Sequence, residues 1–366
     1  MKVGILTYHR AENYGALLQA YATKTYLSSL GHDVSFIDYW PQYHSDYFKL
    51  FSWNTFRQRG MKGKLAMLKS CCWIVPRWIR KKRLQDFMYQ QLHLSKCPQY
   101  TNKEGITEKY DVVVYGSDQI WRKQHLSGVG FDDWYFGCDN VRADKKVVYA
   151  GSMGTIVSNS VNDSYVQKAM RNFNYISVRE IDLQDYLTKL DVSSSHVIDP
   201  VFLLSREQWK QIEDKKSRKG KYILFYNLLN TSESTKFTEQ LSRKMQLPIV
   251  EINKKLSLSH LGSRYVSTAS VERFLRLIDD AEYVVSNSFH GVAFSIIYEK
   301  QFFSTGMRSK RNRVVSLLRS AGLSERYIED SVVPSAIHPI DYSHVNNSLK
   351  SLTNYSKSFI QKAILP

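Results

Sequence analysis

The chain of 366 residues is poor in cysteine, proline, glycine and acid. Its four cysteines, at 71, 72, 97 and 138, are too few to staple a chain of this length, and no CxxC or Cys/His spacing suits zinc. Eight prolines and 17 glycines exclude collagen-like and low-complexity chains. No apolar run approaches the roughly 18 residues a membrane-spanning helix needs. The apolar stretch behind Met1 is too short for a secretory signal, so a reducing cytoplasm is the expected setting. Acid is outnumbered, 34 Asp and Glu against 51 Lys and Arg. The formal net charge of +17 favours anionic partners such as phosphorylated metabolites, acidic lipid or nucleic acid.

Several catalytic signatures are also missing. Without GxGxxG or a Walker A loop, NAD and P-loop chemistry lose support. Without a Gly-x-Ser-x-Gly elbow, serine hydrolysis does too. There is no Asp-x-Asp, the metal–nucleotide clamp of one glycosyltransferase class. No His or carboxylate cluster has metal-ligand spacing, so neither metal nor cofactor is expected. No nucleic-acid-binding motif accompanies the basic charge, so nucleic acid is not an expected partner.

What is present is a globular, aromatic-rich chain with 24 Tyr, 17 Phe and 7 Trp, which excludes disorder as its main state. Residues 3–8 read as a buried strand, 15–30 as a helix stopped by Gly31, and 34–39 as a second strand. This βαβ opening implies a parallel sheet. Further strands are expected at 111–115, 146–150, 175–178 and 197–198. The charged stretch 213–221 reads as a linker. A second βα series follows, with strands at 222–227, 248–252 and 283–286. Helices are expected at 231–245, 271–281, 292–298, 312–321 and 346–363. The expected fold is α/β, with two Rossmann-like domains, 1–212 and 213–366, facing across a cleft. A basic, Trp-rich helical insertion at 49–94 interrupts the first, expected as one or two helices split near Pro76. Its segment 52–84, with Trp53, Trp73 and Trp78 among cations, suits an acidic membrane surface, or else a hairpin packing its Trp on the body.

Ligands of open α/β sheets bind beyond the carboxyl ends of the strands. Polar clusters stand at such ends here, at Tyr8-His9, Gly116-Ser117-Asp118, Gly151-Ser152, Arg179-Glu180 and 286–290. Asn13 and Gly15 open a helix N-terminus to an anion, or form only a capping turn. Ser117 offers a donor to phosphate and Asp118 an acceptor to a sugar hydroxyl, or the two make an Asx turn. Arg179 offers a bidentate clamp for carboxylate or phosphate, or pairs with Glu180 or Asp182. His290, at a helix start with Lys300, Arg308, Lys310, Arg311 and Arg313 downstream, suits general acid/base work beside an anion, or is structural.

Five segments together resemble the polysaccharide pyruvyl transferase family. They are Glu12-Asn13-Tyr14-Gly15-Ala16-Leu17-Leu18-Gln19, Gly116-Ser117-Asp118-Gln119-Ile120-Trp121, Ser177-Val178-Arg179-Glu180, Asp199-Pro200-Val201, and the run 281–291 ending Ser286-Asn287-Ser288-Phe289-His290-Gly291. The resemblance spans about residues 3–320. It implies a glycosyltransferase-B-like pair of domains. It also implies transfer of pyruvate from phosphoenolpyruvate, a donor substrate, onto two hydroxyls of a sugar, giving a cyclic ketal and phosphate. It assigns catalysis to His290 and donor binding to Arg179, Lys310, Ser288 and Asn287. Asn13, Tyr14, Gly15, Gln19, Gly116, Ser117 and Asp118 fall to the acceptor or the cleft wall. Many relatives carry Arg two residues before the His, where this chain has Ser288. One cationic contact to the donor is then missing, or is supplied by Arg308, Arg311 or Arg313. The acceptor implied is a sugar or a polyprenyl-diphosphate-linked oligosaccharide at the inner membrane face, held near the enzyme through 52–84. The competing readings are a glycosyltransferase of the same fold using a nucleotide sugar, and a non-catalytic anion-binding protein at a membrane surface.

Overall fold

The computed structural model describes residues 1–47, 73–101, 105–124, 130–253, 262–307 and 311–365. The first half runs β1 (Lys2–Leu6), α1 (Tyr14–Ser29), β2 (Asp33–Phe36), β3 (Asp38–Tyr39), α2 (Gln42–Tyr47), α3 (Ile74–Gln90), β4 (Gln99–Tyr100), β5 (Tyr110–Tyr115), β6 (Ala143–Gly151), α4 (Ser160–Met170), β7 (Tyr175–Val178), α5 (Ile181–Lys189), β8 (Ser195–His196) and α6 (Arg206–Lys210). The second half runs β9 (Ile223–Asn227), α7 (Ser232–Met245), β10 (Ile249–Asn253), α8 (Val271–Asp279), β11 (Tyr283–Ser286), α9 (Phe289–Ile297), β12 (Gln301–Thr305), α10 (Asn312–Ser320), β13 (Tyr327–Ile328) and α11 (Tyr342–Ile364).

Two large parallel sheets result, ordered β2-β1-β5-β6-β7-β8 and β10-β9-β11-β12-β13, and β3 and β4 form a small parallel pair of their own. A parallel sheet needs cover on both faces, because each crossover lays a helix on one of them. The strands are built for that. Val112 and Val114 of β5 join one apolar cluster, while Val113 and Tyr115 join the other. Leu224 and Tyr226 of β9 point one way, Ile223 and Phe225 the other. One cluster runs from Val3 and Ile5 of the first sheet to Val284 of the second, so the inner faces share a core. Helix α1 lies in that shared layer and packs on α8 and α9. Helix α11 leaves the second sheet and returns to the first. There Ser356 Oγ accepts the Ile198 amide at 2.9 Å, and Tyr355 reaches Ser195.

Each sheet has one reversal of strand order, between β1 and β5 and between β9 and β11. At such a point the loops leaving neighbouring strands diverge and open a crevice. Both crevices face the shared layer, and this positions the site.

Several local expectations need correcting. The single strand expected at 34–39 is two, β2 and β3, which belong to different sheets. Strand β8 lies at 195–196 rather than 197–198. Pro76 sits in the first turn of α3, where its missing N–H has no bond to lose. Residues 49–72 of the 49–94 insertion lie outside the described residues, and with them the chain on the other side of the break expected near Pro76. Strands β12 and β13 were not expected at all, being short runs in a mixed context.

Candidate active site

The site grows from the two reversals. In the first sheet, Gln19 of α1 ties three segments together. Its amide donates to Thr7 Oγ1 at 3.0 Å and to the Ala16 carbonyl at 2.9 Å, and its oxygen accepts the Ser117 amide at 3.2 Å. Gln19 is fully buried, so it shapes the crevice rather than touching a ligand. Gly116, at φ +134, brings its Cα so near strand β6 that a Cβ would lie 2.0 Å from the Tyr149 carbonyl oxygen. No side chain fits there. Ser117 turns inward, and its hydroxyl donates to Asp199 Oδ2 at 3.2 Å. Asp118 remains half-exposed, one carboxylate oxygen capping the Gln119 amide.

Asp199 is the hub. It is fully buried, and its Oδ1 accepts the Val201 amide at 3.1 Å. Its Oδ2 accepts Arg179 Nη1 at 2.6 Å and lies 3.8 Å from His290 Nε2. Burial raises its carboxyl, but His290 and Arg179 outweigh that and hold it below the usual carboxylate range. Arg179 closes the cluster. Its Nε bonds Glu180 Oε1 at 3.1 Å, and Glu180 also accepts the Ser152 hydroxyl at 2.7 Å. Burial lowers the Arg179 guanidinium's affinity for its proton, yet Glu180 and Asp199 more than restore it. The pairing with Glu180 foreseen as the bland alternative is therefore present. Even so, Arg179 Nη2 is buried with no hydrogen-bond partner among the described residues.

His290 is the second residue of α9 and arrives from the other sheet. Its ring rests on Gly15 so closely that a Cβ there would lie 2.0 Å from Nδ1. Asn13 caps α1 through the Gly15 amide at 3.2 Å, so the start of α1 faces the imidazole. Burial pushes the His290 imidazole down to about 4, with Asp199 opposing and Arg179 assisting. The ring is neutral at pH 7, and among the described residues its buried Nε2 has no partner within hydrogen-bond range.

Arg313 of α10 is the second cation. Its guanidinium lies 5.9 Å from the Phe289 ring centre, and that of Arg179 lies 4.9 Å from it. Arg313 makes no hydrogen bond or ion pair with a described residue. Burial and then the charge of Arg179 lower its hold on its proton. Two guanidiniums around one ring, the second unpaired, form a site that an anion would relieve. Of the three candidates to replace the absent arginine at 288, Arg311 pairs with Glu329 at 2.6 Å and Arg308 lies outside the described residues. Arg313 reaches the site. Lys310 also lies outside the described residues.

Two expected ligand contacts have other work. The Asn287 amide is fully engaged, accepting from Leu228 and Leu229 and donating to Asn227 and Ser234. It pins the β9 loop to β11. The Tyr14 hydroxyl donates across the domains to the Ala269 carbonyl at 2.8 Å, and its ring stacks on Phe274 at 4.6 Å. Ser288 is buried at the start of α9, its amide bonded to Ser286 Oγ at 3.1 Å. Residue reasoning assigned no role to Asp199. Its signal was present, an Asp-Pro pair behind an apolar dipeptide.

Comparison with known proteins comes last. No curated protein matches the sequence. Among solved structures, the chain is similar to the UDP-GlcNAc 2-epimerase of Methanocaldococcus jannaschii, at 10% identity and TM-score 0.47, covering 97% of this chain and 93% of that one. It is also similar to the UDP-GlcNAc 2-epimerase of Neisseria meningitidis, at 11% identity and TM-score 0.44, covering 100% and 95%. For the E. coli heptosyltransferase WaaC the values are 10% and 0.39, covering 99% and 100%. The sequence profile of the polysaccharide pyruvyl transferase family matches residues 13–307, from the cap of α1 to the end of β12 and beyond. The chain belongs to the polysaccharide pyruvyl transferase family.

Proposed function

We propose that this protein transfers pyruvate from phosphoenolpyruvate to two hydroxyls of a sugar in a polysaccharide or lipid-linked glycan precursor, forming a cyclic ketal and releasing phosphate. One observation carries the reading. Among the described residues, Arg179 Nη2 and His290 Nε2 are buried without hydrogen-bond partners beside an Arg313 that makes no ion pair. Buried polar atoms left unbonded are destabilising unless a ligand completes them. Phosphoenolpyruvate, with a carboxylate and a phosphate ester on the same carbon, supplies two anionic groups for two guanidiniums.

The proton balance fits a neutral imidazole. Each hydroxyl loses one proton as its oxygen bonds to C2 of the donor. One proton ends on C3, turning the methylene into a methyl group. The other leaves with the phosphate as the C2–O bond to phosphate breaks. His290 starts uncharged and so accepts a hydroxyl proton. The imidazolium that forms is stabilised by Asp199 Oδ2, 3.8 Å away, and then returns the proton. Arg179 and Arg313 hold the donor and take up charge on the leaving phosphate.

Membrane delivery of the acceptor is supported by the described end of the insertion. Ile74, Val75 and Trp78 are exposed at the start of α3, with the Lys82 ammonium 5.5 Å from the Trp78 ring centre. Among the described residues no helix is long and apolar enough to cross a membrane.

The test is thermal stability with phosphoenolpyruvate, inorganic phosphate and a nucleotide-sugar panel. A ligand that binds the native state raises the melting point by mass action. A shift with phosphoenolpyruvate that Arg313→Ala removes is the expected result. Arg313 is the better probe, because deleting Arg179 strands two buried carboxylates. A shift only with nucleotide sugars overturns the reading.

A further inference from the structure

The structure holds an aromatic wall that the donor chemistry does not use. Tyr8 follows β1, while Trp40, Tyr43 and His44 follow β3. All four residues are half-buried. The His44 ring meets Tyr8 edge-on at 4.7 Å, Trp40 at 5.4 Å and Tyr43 at 4.4 Å between ring centres. The wall is braced from behind. The buried Asp132 carboxylate accepts the Tyr43 hydroxyl at 2.6 Å and the Tyr39 hydroxyl at 3.0 Å, and the Gln124 amide donates to the Tyr8 hydroxyl at 3.2 Å. His9 is not part of it. That ring is buried against Asp38 and the Thr7 carbonyl.

Asp118 joins the wall to the reaction centre. Its charge acts on Tyr8 and His44 on one side and on His290, Arg179 and Arg313 on the other. Among the described residues one of its carboxylate oxygens has no partner. The His44 ring nitrogens likewise bond to no described residue. Burial holds that imidazole down at about 4, so it is neutral and can both donate and accept.

A sugar ring has an apolar face of C–H groups and a rim of hydroxyls. An aromatic wall covers such a face, and nearby carboxylate and imidazole groups bond the rim. We propose that Tyr8, Trp40 and His44 form the platform for the acceptor sugar, and that Asp118 and His44 bond its hydroxyls and turn the reacting pair toward His290. This rests on the pyruvyl-transfer reading for the role of the sugar, but not for its binding. The platform belongs to the first sheet alone, whereas the donor cations and the imidazole come from both. Acceptor choice and donor chemistry are thereby placed on separate residues.

The test uses the full chain and a probe panel of methyl glycosides of galactose, glucose and N-acetylmannosamine, read by saturation-transfer NMR. Binding of at least one probe is expected. His44→Ala and Gln124→Ala should each weaken it about tenfold or more, with the phosphoenolpyruvate melting shift unchanged. Gln124→Ala removes only a brace on a half-buried residue, and circular dichroism confirms its fold. Failure of every probe to bind the wild-type chain overturns the proposal, as does unchanged affinity in both folded variants. A missing phosphoenolpyruvate shift with sugar binding intact sinks the donor reading and leaves the platform standing.

Discussion

The Gly15→Ala substitution adds one methyl group where the two halves of the site touch. The new Cβ would lie 2.0 Å from His290 Nδ1, whereas ordinary contact starts near 3.4 Å. About 1.4 Å must be made up by moving the imidazole, the start of α1, or both. Neither has slack. His290 sits on α9 with Asp199 3.8 Å behind it, and α1 is clamped by Gln19 and Tyr14. Overpacking of this kind costs about 1–3 kcal/mol of stability, which in a protein of this size lowers the melting point by a few degrees. Catalysis should suffer more. A displacement of about 1 Å at a reacting group can lower the rate about a hundredfold, equivalent to roughly 2.7 kcal/mol in the barrier. The assay is phosphate release from phosphoenolpyruvate in the presence of acceptor, with donor binding followed separately by thermal shift. Donor binding should survive, because Arg179 and Arg313 are untouched. A folded Gly15→Ala protein with wild-type kcat/KM would show that the His290–Gly15 contact has no part in the chemistry.

Three further outcomes follow from the same geometry. The folded state holds the His290 imidazole at about 4 against an ordinary 6.5, so below pH 6.5 the unfolded chain binds the extra proton. The stabilisation is complete above 6.5 and is lost as pH falls toward 4, by about 3 kcal/mol at most. His290→Gln should flatten that part of a urea-midpoint profile against pH, and an unchanged slope would refute the neutral buried ring. Asn287→Ala strips partners from two backbone amides and two side chains, so it should destabilise by about 3 kcal/mol in urea unfolding. The folded fraction should keep its affinity for phosphoenolpyruvate, and a selective loss of that affinity would return Asn287 to the donor site. Trp78→Ala should weaken sedimentation with phosphatidylglycerol vesicles about tenfold, and equal binding would remove α3 from the membrane contact.

The sheets were legible because their strands are apolar runs of four to six residues between polar turns, as at Tyr283–Ser286 and Tyr110–Tyr115. β3 was not separable from β2, because Ile37 between them is as apolar as either strand and the break depends on sheet membership, a tertiary fact. In the site, His290 and Arg179 were legible from their places at strand ends. Nothing local distinguished Asn287 from Arg313. One is an amide whose four bonds come from two segments distant in the chain, the end of β9 and the start of α7. The other is a cation that makes no ion pair with a described residue while standing in a basic stretch of sequence. Spacing tells which residues share a loop, but the partners already taken by a polar side chain come from elsewhere in the chain. The same blindness applied to Tyr14, whose carbonyl partner is Ala269.

Helix α11 has a consequence for how the protein is made. Ribosomes deliver the first sheet well before the second, and domains emerging first generally fold first. Here Ser356 supplies the bond to the Ile198 amide, and Ile360 and Ile364 add to the inner core. During synthesis that edge of the first sheet waits, its amide and apolar side chains bare, until α11 has been translated. The earliest-born unit is the last to be finished, and a nascent chain stalled in the second half would present that unfinished edge to chaperones.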